Sequence, residues 1–107
     1  MDFPELFNDL QSGITELAKN TFKQYAHDAI TDGYNILNEL STVLHQWKDE
    51  LAKGELRKED FEYNLLSAKD LIDMVNLKQA GLSAVKADEF KNAVFDLILN
   101  TVLSIIP

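Results

Sequence analysis

Three small groupings of acids, imidazoles and amides are the places in this 107-residue sequence where side chains could do chemistry together. The first is His27, Asp28 and Asp32. Asp28 and Asp32 form an i, i+4 pair and share a helix face. His27 stands about 100° round the helix from Asp28. A helical di-metal site needs paired Glu-x-x-His segments, and the sequence has none. The expectation is therefore a solvated polar face. The second grouping is His45 with Trp47, read as one surface and one core residue. The third is Asp70, Asp73 and Asn76, read as a polar surface patch. There is no cysteine, so thiolate nucleophiles and thiolate metal ligands are excluded. No glycine-rich phosphate loop or nucleophile elbow occurs. No catalytic, cofactor-binding or metal-ligating residue is assigned, and an enzyme is not expected.

The charge narrows the partners. The net charge is −8, with acids in both halves of the chain. Such a surface repels phosphate backbones, so nucleic acid is not an expected partner. The first residues show no basic stretch followed by an apolar core, so a secretory signal is not expected. The most apolar stretch, residues 95–106, is interrupted by Asp96, Asn100, Thr101 and Ser104. It falls short of the about 20 residues that a membrane-spanning helix needs. Those observations predict a soluble chain, cytoplasmic by default, with no compartment assigned.

The elements that must position these residues are helices. The two prolines are Pro4 and Pro107. Between them, Gly54 in the stretch Ala52-Lys53-Gly54-Glu55-Leu56 reads as the C′ residue of a helix, with Leu56 folding back as the hydrophobic contact of a Schellman cap. In the first arm, Leu6, Leu10, Ile14 and Leu17 begin a row that continues through Ile36, Leu40 and Leu51 at steps of three or four. Phe7, Ala18, Phe22, Ile30, Leu37 and Leu44 form a second row beside it. The mean step is close to an eleven-residue repeat, which implies nearly straight packing. Two rows make a face wide enough for more than one neighbour. In the second arm, Phe61, Leu65, Ala68, Ile72, Val75 and Leu82 form one row. The phase weakens around residues 79–86.

These patterns predict an all-α fold. The leading arrangement is an antiparallel hairpin of two long helices, about 4–53 and 57–106, with possible breaks near Asn20 or Gly81. It is a single domain and pairs with a second copy as a four-helix bundle. The alternative is a compact monomer of three or four shorter helices. Pairing about Gly54 sets Glu50 opposite Lys58, Lys48 opposite Asp60, Glu39 opposite Lys69 and Lys19 opposite Glu89. It also sets Ala26, Ala29 and Gly33 opposite Ala80, Gly81 and Val75. Small acidic helical hairpins that dimerise are similar in size, but their Trp-x-Gly turn is absent, because Trp47 and Gly54 stand too far apart. The functional expectation is a non-enzymatic structural or protein–protein interaction module. It would self-associate through its apolar faces and residues 95–106, as a homodimer or with another helical protein. The alternative is a small bundle that binds an apolar ligand between its helices. Lipid binding by the last helix is disfavoured, because its polar face carries Asp96 and no base after Lys91.

Overall fold

The computed structural model describes residues 2–106. Their order is α1 (Phe3–Thr21), α2 (Ala26–Ala52), α3 (Lys58–Lys69), α4 (Val75–Gln79) and α5 (Ala84–Ser104), an all-α fold. Local chemistry sets several boundaries. The Asp2 carboxylate accepts a 2.9 Å hydrogen bond from the Glu5 amide, and Pro4 lies in the first turn of α1. Ser83 caps α5 by accepting from the Lys86 amide. Helices α2 and α4 both close on a glycine with positive φ, Gly54 (76°) and Gly81 (105°). At α2 the Gly54 amide donates to Leu51 O and the Glu55 amide to Glu50 O. At α4 the Gly81 amide donates to Lys78 O and the Leu82 amide to Leu77 O. Both are Schellman closures, and the one at Gly54 is where the sequence places it.

Neither arm is a single helix. The first divides at residues 22–25, the second at 70–74 and again at 80–83. The two long helices are thus broken, and the chain is compact with five helices, one more than the compact alternative allowed. The longest dimension is 43 Å and the radius of gyration 13.8 Å. A fifty-residue helix alone would span about 70 Å or more, and a compact chain of this length has a radius near about 13 Å. The breaks near Asn20 and Gly81 fall where the sequence weakens, whereas the one at 70–74 carries no glycine or proline.

Folding back at residues 22–25 lays α1 antiparallel on α2. Ile14 meets Gly33, Thr15 Oγ1 lies 2.8 Å from Tyr34 Oη, and the Phe3 ring stacks on His45 at 4.5 Å. A Cβ on Gly33 would sit 2.3 Å from Ile14 Cγ2, so this crossing requires glycine. Gly33 therefore faces Ile14 of α1, not Val75, which the hairpin register set opposite it. The two apolar rows of the first arm become mutual core. Leu6, Leu10 and Ile14 are buried with Ile36, Leu37 and Leu44.

Helix α5 lies at the centre and touches each of the other four helices. Phe90, Val94, Phe95, Ile98 and Val102 are buried, while Asp96, Asn100 and Ser104 face solvent. A helix apolar over most of its circumference needs several neighbours, and here they come from the same chain. Residues 95–106 are not an uncovered sticky end. The same rearrangement removes the four cross-arm charge pairs. Among the described residues the ion pairs are His45–Asp49, Lys48–Asp49, Arg57–Asp60, Lys78–Asp73 and Lys78–Asp88.

Candidate functional site

Two polar groupings that look separate in the sequence meet in space. Asp32, on α2, is 3% exposed. Its carboxylate accepts from the Asn76 amide (3.0 Å), the Asn76 side-chain Nδ2 (2.9 Å) and the Leu77 amide (2.8 Å). The acid satisfies two of the N–H groups that a helix start leaves without partners. It also places negative charge at the positive end of α4. Asp32 is thus an N-cap supplied from another helix. It is not part of a solvated face, and Asn76 is not a surface patch residue. His27 is exposed and Asp28 half-buried. Among the described residues no three such side chains gather closely enough to hold a metal ion.

A second tether mirrors the first. Lys91 Nζ, from α5, donates to the Lys69 carbonyl (3.2 Å) and the Ile72 carbonyl (3.0 Å) just past the end of α3. A cation at a helix C-terminus complements its dipole and its unpaired carbonyls. Nearby, Lys78 pairs with Asp73 and approaches Asp88 at 3.9 Å. The hydrogen bond from Lys78 holds the exposed Asp73 carboxyl below its ordinary value, and the same bond raises Lys78. Asp70 is exposed and joins none of this. His45 lies on the surface under Phe3, and Trp47 packs edge-on to Phe61 at 5.9 Å.

The remaining candidate is a groove. It has a volume of about 330 Å³ and is lined by Thr21, Phe22, Tyr25, Leu82, Lys86, Glu89, Phe90 and Ala93. The α1–α2 connection supplies Phe22 and Tyr25, and the α4–α5 connection supplies Leu82. Thr21 comes from the end of α1, and one face of α5 supplies Lys86, Glu89, Phe90 and Ala93. Phe22 leaves helical geometry (φ −127°, ψ 144°), and its ring centroid lies 5.5 Å from that of Phe90. The two weak points noted in the sequence thus converge on one hollow. The spacing treats Phe22, Tyr25 and Leu82 as row members, because only the folded-back chain shows that they share a wall. Larger hollows are more polar: one lies on α2, lined by Thr42, His45, Gln46, Asp49, Glu50 and Lys53, and another runs along α1 with Asn8, Gln11, Thr15 and Glu16.

No protein-family model matches this chain, and neither the curated proteins nor the solved structures give a match.

Proposed function

We propose that the protein is a non-enzymatic binding module that takes a small apolar ligand between its helices, in the groove at the α1–α2 and α4–α5 connections. The observation that carries this reading is the largely apolar hollow of about 330 Å³ walled by Phe22, Tyr25, Leu82, Phe90 and Ala93. Small-molecule sites occupy about 300–1,000 Å³ with mostly apolar linings and a few polar groups. Lys86 and Glu89 are the charged groups here. The lining offers no nucleophile beside a base, so binding rather than turnover is the chemistry it supports.

The test uses Nile red, a neutral apolar dye, with the full chain. Its fluorescence should rise on binding, and Ala93→Phe, which fills the groove, should lower the affinity at least about fivefold while circular dichroism stays helical. Equal affinity for the folded variant, or no binding to the wild type, rejects the groove.

A second reading keeps self-association. Tyr63 (71% exposed), Leu66 (44%) and Leu71 (88%) leave large apolar side chains in water on α3 and just beyond it. A homodimer, or a complex with another helical protein, would cover them. Multi-angle light scattering at micromolar concentration should then give twice the chain mass, and a single-chain mass removes the homodimer.

A further inference from the structure

We infer that the ligand of this groove carries a methylated ammonium group, held against the rings of Phe22 and Tyr25, with the buried Phe90 ring packed against Phe22 and Glu89 at the rim. The inference rests on the groove reading above and names the chemical class it would take.

Three of the eight lining residues are aromatic. Phe22 stands between the other two, at 5.5 Å and 58° to Phe90 and at 6.2 Å and 79° to Tyr25. Rings at such angles form walls in different planes, not one stack. An aromatic face carries partial negative charge and attracts a cation, most strongly where water is displaced. A quaternary ammonium has an apolar methyl shell and no N–H. It needs surfaces instead of hydrogen-bond acceptors, which is what an aromatic wall offers. Among the described residues Glu89 makes no ion pair, so its charge is available to such a cation. The net charge of −8 adds long-range attraction of the same sign. Lys86 is the opposing feature. It is exposed, and its long flexible stem lets the ammonium turn into water. An anionic ligand would have to rely on that one solvated lysine with Glu89 close by.

Choline and dimethylbutanol, its uncharged carbon isostere, separate charge from shape. Calorimetric titration of the full chain should show choline binding about tenfold more tightly, within the range for cation–aromatic contacts. Phe22→Leu keeps an apolar wall and removes a ring. It should weaken choline about fivefold and leave the isostere unchanged. Glu89→Gln should weaken choline, and Lys86→Gln should strengthen it. Equal binding of choline and the isostere overturns the cation assignment while the groove stands. So does tighter binding of the isostere, or reversed signs for the two charge variants. Binding of neither probe by a chain that binds Nile red overturns the cation assignment, and failure to bind Nile red as well overturns the groove itself.

Discussion

The α1–α2 pair and the α3–α4 segment are held by different physics. The first is a dry contact in which Ile14 enters the space above Gly33 and rows of leucine and isoleucine close around it. The second is a short helix and its approaches, tied down by Asp32 from one side and Lys91 from the other. Apolar packing spreads its stabilisation over many weak contacts and depends on volume. A polar tether concentrates it in a few bonds whose loss leaves buried donors unpaired. The first region should therefore fail globally and the second locally.

The sharpest way to break the contrast is at the helix crossing. Gly33→Val places methyl groups where Ile14 already sits, and overpacking of this kind costs about 1–3 kcal/mol or more. It should lower the midpoint of the whole thermal transition. Protection from hydrogen exchange should fall in α1, α2 and α5 alike. If only α4 lost protection, the crossing would not be the keystone.

Asp32→Ala should come next, at about 2–3 kcal/mol, since the Asn76 and Leu77 amides lose their acceptor inside the protein. Its signature is locality. The amides of residues 75–82 should exchange faster while those of α1 and α2 stay protected. Lys91→Met should act in the same place at about 1 kcal/mol, because its carbonyls lie nearer to water. Uniform loss of protection in both variants would erase the distinction between the two regions.

The smallest effect concerns pH. The Asp73 carboxyl is held below its ordinary value of 3.8 by Lys78. A depressed carboxyl contributes stability that is complete above its unfolded value and is lost as pH falls through the folded value. Asp73→Asn should therefore lower stability slightly near neutrality, and the penalty should shrink as pH falls below 3.8 and the carboxyl protonates in the folded chain. Thermal midpoints across that range check it, and an Asp73→Asn penalty that persists undiminished in acid contradicts the pairing.

How much of this was legible in the sequence follows the same division. The apolar rows of the first arm and the Gly54 closure are local or periodic signals, and they read correctly, whereas Val75 in the second-arm row is exposed. The break at 22–25 was the alternative to one long helix and not the leading reading, because Thr21, Tyr25 and Ala29 keep helical phase straight through it. The Phe22 ring packs on Phe90 where the chain leaves the helix, and propensity alone does not register such a tertiary contact. The break at 70–74 had no local mark at all. Its supports, Asp32 and Lys91, lie 38 or more and 17 or more positions away in the sequence, respectively, and each looks like an ordinary surface charge. The groove was legible only as two doubtful helix positions. That both border one cavity is a property of the folded chain.

The central position of α5 has a consequence for biosynthesis. It follows the other four helices in chain order, yet all four lean on it. While the chain emerges from the ribosome, the core faces of α1 to α4 have been made but their shared partner has not. The protein must carry open apolar surface until residues 84–104 appear. Its exposure to premature association is thus set by the time between the first helix and the last.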